Sequence, residues 1–283
     1  MNKIVTIIVL GVLSVAGLIM LSFNSFSNQN TASKEKTYKI LKEWRLPGVL
    51  DEVSGIDWIG DNRLACIQDE DGIIFIFNLK TSEIEKEITF EGAGDYEDIR
   101  VVGKDAYVLR SDGTIFQVSN FMESNIEIIK YDTFLTEDHN MESLAWDKSN
   151  NRLLLVPKAR EPEADSFKGV YEFPLKDKQL KKTPIHKLQM KDPLLADLKG
   201  KLRQKLRPSA LGINPVTKEY YILDGRSARL VIAGSDFQLN KLHSLAEEDF
   251  EQAEGITFSE DGKIYISNEG KGAKANILEI ELK

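Results

Sequence analysis

The chain has 283 residues, 42% of them hydrophobic and 29% charged, which is the composition of a folded protein with a sizeable core. A formal net charge of −8 excludes the clustered basic surface that nucleic-acid binding requires. With one cysteine, Cys66, and three histidines without motif spacing, an intramolecular disulfide and a Cys/His zinc site are excluded as well.

In chain order, Lys3 is followed by residues 4–23, twenty in a row without a charge. That length spans a bilayer as a helix, so residues 1–24 are expected to form a membrane anchor or signal sequence with one transmembrane helix. Lys3 kept inside places the remainder on the extracytoplasmic (periplasmic or outer) side. Cleavage near Ser25 to Ser27, giving a secreted or periplasmic protein, is the alternative. Residues 25–36 are polar and read as a flexible tether. The folded domain is expected over 37–283.

Within that domain one form recurs: a short apolar strand, a turn, a second apolar strand and a polar cluster. It begins at Ser54, Glu97, Glu142, Ser209 and Glu254, with starts 43, 45, 67 and 45 residues apart. A period near 45 in an all-β pattern is the signature of propeller blades. Five blades of four antiparallel strands are expected, six if the long third repeat hides another. The last repeat offers only three strands, so residues 37–46 are expected to supply its outer strand and remove two exposed edges. Phe75, Phe116 and Tyr171 fall in third strands and are expected between blades. In the third repeat, residues 191–207 place Leu194, Leu195, Leu198, Leu202 and Leu206 at helical spacing, with Asp192 as cap and Pro193 in the first turn. A helical insertion is expected there, packed by its leucines, or capping the channel with its basic face.

The first strand of each blade lines a propeller's channel, so Ser54, Glu97, Glu142, Ser209 and Glu254 should form a ring. Three carboxylates in one ring repel unless a cation or shared protons compensate. Hard oxygen donors suit Ca²⁺ or Mg²⁺ better than zinc. The metal candidates are Glu97, Glu142 and Glu254, with Ser54, Ser209, Asp69, Asp224 and Asn268 as secondary ones. The plainer possibility is that the acids satisfy backbone N–H groups or pair with Arg100, Arg110 and Lys158. Asp-Gly fragments at 69–72, 111–113 and 259–262 lack the spaced ligands of an EF-hand and read as hairpin turns.

The runs Leu50-Asp-Glu-Val-Ser-Gly-Ile-Asp-Trp58, Tyr96-Glu-Asp-Ile99, Asn140-Met-Glu-Ser-Leu-Ala-Trp146 and Ala253-Glu-Gly-Ile-Thr-Phe258 resemble the SdiA-regulated (YjiK-like) family over about residues 38–283. The resemblance implies a five-bladed propeller, distantly similar to NHL-repeat proteins, with a calcium site and a binding role. The residues matching its repeated motif are Glu97, Glu142 and Glu254. The expected function is a membrane-anchored extracytoplasmic module that binds calcium at the channel mouth and a protein or small ligand on the loop face. The alternative is a calcium-dependent hydrolase (a lactonase, esterase or phosphoesterase) using the same acids.

Overall fold

Alternating β-branched and aromatic runs fold into twenty strands among the described residues, which in this computed structural model are 36–283 apart from 163, 197, 199–200, 202–204 and 271–273. The expected membrane segment 4–23 and the tether up to residue 35 lie outside the described residues. Among those described, no helix is long and apolar enough to cross a membrane.

The strands form five four-stranded antiparallel sheets. Blade 1 is β2 (Val53–Gly60), β3 (Arg63–Gln68), β4 (Asp71–Asn78) and β5 (Glu83–Ala93). Blade 2 is β6 (Tyr96–Val102), β7 (Asp105–Arg110), β8 (Ile115–Ser119) and β9 (Glu127–Tyr131). Blade 3 is β10 (Met141–Asp147), β11 (Arg152–Pro157), β12 (Phe167–Pro174) and β13 (His186–Gln189). Blade 4 is β14 (Ala210–Ile213), β15 (Tyr220–Asp224), β16 (Arg229–Ala233) and β17 (Leu239–Ser244). Blade 5 is β18 (Ala253–Phe258), β19 (Ile264–Asn268) and β20 (Asn276–Leu282), completed by β1 (Tyr38–Arg45) from the other end of the domain. The pairing of β1 with β20 runs from Tyr38 opposite Leu282 to Arg45 opposite Asn276. The blade count is five, and the long third repeat holds an insertion rather than a sixth blade.

Because both faces of each blade are covered by neighbours, the core lies between blades rather than in one centre. Ile67, Ile74 and Phe90 of blade 1 pack with Tyr96, Val108 and Phe116 of blade 2, and the other four seams repeat the arrangement. Phe75 and Tyr171 lie in two of those seams, and Cys66, the cross-strand partner of Phe75, is buried in the same seam as that ring. The innermost strands β2, β6, β10, β14 and β18 neighbour one another in a closed ring.

In the 191–207 insertion, where a helix is expected, residues 197, 199–200 and 202–204, Leu202 among them, lie outside the described residues. Asp192 does cap, accepting from the Leu194 N–H at 2.8 Å, but the turn it caps is a 3-10 turn over Pro193–Leu195. Leu195, Leu198 and Leu206 are buried against Leu188, Met190 and Leu211, so the leucines serve packing as expected. Two of the Asp-Gly fragments are turns: the Gly113 and Gly262 N–H groups close on Arg110 and Ser259, and both glycines sit at φ +86°, where a side chain would be strained. In the third, Asp69 and Glu70 form a bend, and Asp71 and Gly72 already open β4.

Candidate functional site at the channel mouth

A register irregularity builds the mouth. In four of the five innermost strands the pairing with the second strand skips one residue, and the skipped residues are Ser54, Glu97, Glu142 and Glu254. The extra residue of a β-bulge leaves the ladder and bends its strand. Each ring residue is therefore released from pairing at the same level of the channel. In blade 4 the ladder begins one residue later, at Ala210, with Ser209 just outside it.

The ring splits by chemistry. The Ser54 hydroxyl donates to the Tyr96 carbonyl at 2.6 Å, and the Ser209 hydroxyl to the Ala253 carbonyl at 2.9 Å while accepting from the Gly225 N–H. Both hydroxyls thus staple adjacent blades. The three glutamates instead face one another across the mouth. Lys158, at the end of β11, brings its ammonium against the Glu142 carboxylate and to 3.9 Å from that of Glu254. Asn140 donates to the other Glu142 oxygen. Glu97 forms no hydrogen bond or ion pair with any described residue.

Among the described residues one ammonium thus faces three carboxylates, and their protonation reflects it. Burial, then the charges of Glu142 and Asp95, hold the Glu97 carboxyl well above its usual range. Burial pushes Glu254 up to about 8 against the pull of Lys158, with Glu142, Glu269 and Asp69 adding to the rise. Burial also raises Glu142, which Lys158, Asn140 and Arg207 oppose. Lys158 is raised by Glu254, Glu142 and Glu97 despite its burial. It is held in place from below: the buried Lys168 ammonium donates to the carbonyls of Lys158 (3.0 Å) and Ala159, and burial lowers its pKa to about 8.

The secondary candidates divide likewise. Asp69 belongs to the mouth: its Oδ1 is buried without a hydrogen-bond partner, and burial with Glu52 and Glu269 nearby lifts it to about 6. Asp224 is fully buried and structural, accepting from the N–H groups of Arg207 and Ser227 at 3.3 and 3.2 Å. Asn268 donates to the Asp249 carbonyl and to Asn276, and its own buried Oδ1 has no partner among the described residues.

For a metal, the donor type and charge are right: among the described residues at the mouth carboxylate oxygens exceed cations, and Glu97 has no ion-pair partner. Among the described residues, however, no three carboxylate, imidazole or thiolate groups converge on one point. Lys158 is the cation already in place, so the cluster takes another only in competition with that ammonium.

Below the mouth the channel is closed. Arg100 donates to the carbonyls of Ile56, Leu211 and Ile256 at 3.0, 2.8 and 3.2 Å and pairs with Asp98 at 2.8 Å. Asp98 in turn accepts from the Leu144 N–H at 2.8 Å, so this one pair ties all five innermost strands. Arg100 therefore neutralises Asp98 and not the glutamate ring. The sequence offers Arg100 only as a partner for the ring acids and Arg207 only as part of a basic insertion; the one signal of the plug is a charge between the apolar Ile99 and Val101.

The sequence model of the SdiA-regulated family matches residues 29–271. No curated protein matches the chain significantly. Among solved structures, it is similar to a glutaminyl cyclase of Myxococcus xanthus at 12% identity and a TM-score of 0.60, over 87% of this chain and 96% of that one. It is also similar to a PQQ-bound aldose sugar dehydrogenase of Streptomyces coelicolor at 13% identity and a TM-score of 0.54, over 87% and 98%. At such identities the likeness shows the propeller fold alone.

Proposed function

The chain belongs to the SdiA-regulated family, and from that premise we propose that it is a membrane-tethered, extracytoplasmic binding module. Its channel mouth receives a cation, calcium in the first instance, and its loop face a protein or small ligand. The observation that carries this reading is Glu97, without an ion-pair partner among the described residues, beside Glu142 and Glu254, which share the ammonium of Lys158. Carboxylates held above their usual pKa by burial and mutual repulsion gain most from an added positive charge. The apolar run at 4–23 supports the tether and the outward placement.

Binding is favoured over hydrolysis through a ring serine, because both hydroxyls of the ring are spent. Ser54 and Ser209 donate to carbonyls of neighbouring blades, and neither is hydrogen-bonded to a carboxylate that could act as its base. Calcium titrated into the full chain by calorimetry tests the proposal: saturable heat that disappears in Glu97→Gln supports it, and no heat at millimolar calcium sinks it. Turnover of a lactone or phosphoester panel, lost in Glu142→Gln, would favour the hydrolase instead.

A further inference from the structure

The end of the channel opposite the glutamates holds a cavity of about 400 Å³, within the size range of small-molecule sites. The end of β2 and the hairpin turns after β10, β14 and β18 wall it, and Arg100 lies at its floor. We propose that this cavity binds a neutral pyranose sugar.

Charge is the first argument. The whole chain is acidic, yet this lining carries Arg100, Lys148 and Lys218 against Asp57, Asp147 and Glu260, an even balance. The most buried of these are already committed. Arg100 is taken by Asp98 and four carbonyls, and Asp57 accepts from the Val101 N–H and the Thr257 hydroxyl. Asp147 pairs with Arg152 at 2.9 Å. An ion entering the cavity would find no unbalanced field, whereas a hydroxyl-rich ligand, which donates and accepts, matches a lining of mixed polarity.

The second argument is aromatic. Of the chain's three tryptophans, Trp44 is core, while Trp58 and Trp146 both line this cavity and are half-buried. Trp58 is fixed by stacking on Tyr265 at 5.3 Å and by donating to Glu260 at 2.6 Å. A ring held in advance offers apolar area at little entropic cost. The Trp146 indole N–H is shielded from solvent and finds no acceptor among the described residues. The Lys148 ammonium lies 5.7 Å from the same ring. A sugar presents C–H faces to such a ring and oxygen acceptors to an orphaned donor, whose satisfaction recovers a lost hydrogen bond.

The test uses the full chain with glucose, galactose, mannose and N-acetylglucosamine, and with glucuronate and glucosamine as charged comparators. Binding is read by tryptophan fluorescence and by ligand-observed NMR, which stays usable when a tryptophan is replaced. At least one neutral sugar should saturate both signals. Trp146→Phe, which keeps a ring but removes the donor, should weaken that binding roughly tenfold. Glu97→Gln, at the opposite mouth, should leave it unchanged. The proposal is overturned if no neutral sugar binds at up to about 50 mM, where even a weak site fills. It is also overturned if a charged comparator binds more tightly, or if Trp146→Phe binds as well as the parent.

Discussion

Lys158 of blade 3 and Glu254 of blade 5 face each other across the channel mouth at 3.9 Å, while the same ammonium pairs with Glu142. The mouth is thus an acidic ring with a partial, internal counter-ion. Its behaviour follows from how far one lysine can serve three glutamates.

The first consequence is in pH. Burial, with Glu142, Glu269 and Asp69 nearby, raises the Glu254 carboxyl to about 8 against the opposing Lys158. An unfolded glutamate titrates near 4.3, so between these values the folded chain holds a proton that the unfolded chain releases. The unfolding free energy contributed by this group therefore falls as pH rises from about 4.3 to about 8. Asp69, lifted to about 6, and Asp98, lifted to about 7, act in the same direction. Glu254→Gln should flatten this slope and be more stable than the parent at pH 8, on the order of 1–2 kcal/mol. Urea denaturation at pH 5.5 and 8 checks it; parallel pH slopes in the two proteins would contradict it.

Arg100→Met removes the cation that compensates Asp98, which is fully buried, and takes the guanidinium from four carbonyls. Breaking one side of a buried pair costs about 3–5 kcal/mol. The midpoint of urea unfolding should fall accordingly, while Lys218→Met, an exposed control, should leave it nearly unchanged.

Closure of the ring by β1 makes a separate prediction. Deleting residues 38–45 leaves the β20 edge unpaired and opens the cover over Tyr265 that Trp44 provides. The truncated chain should self-associate in size-exclusion chromatography and lose a sharp thermal transition. A stable monomer with an unchanged midpoint would show that β1 is dispensable.

Much of this architecture was legible in the sequence. Strand alternation and the recurring Glu/Ser-x-apolar starts located every blade, and the missing fourth strand of the last repeat pointed to residues 37–46. The ring was legible too, because residues at one phase of a repeat fall at one level of the channel. What was not legible depends on side-chain reach. Nothing in the spacing says that Lys158 turns to Glu142 while Arg110 turns away to Asp112 at 2.7 Å. Nor does it say that Arg100 crosses the channel to blades 4 and 5. The bulges escaped for the same reason: one skipped residue leaves the alternation on either side intact. Trp58 and Trp146 read as strand residues, and only the closed ring brings the two hairpin ends to one cavity.

Calcium binding at the mouth, in competition with Lys158, is measured most directly by calorimetric titration of the full chain beside Lys158→Met and Glu97→Gln. Removing the internal ammonium leaves Glu142 and Glu254 free for an external cation. Lys158→Met should therefore bind calcium at least about tenfold more tightly than the parent, a difference of about 1.4 kcal/mol. Glu97→Gln should lose most of the parent's binding. If Lys158→Met binds calcium no better than the parent, or if none of the three proteins binds it, the mouth is not the cation site described above.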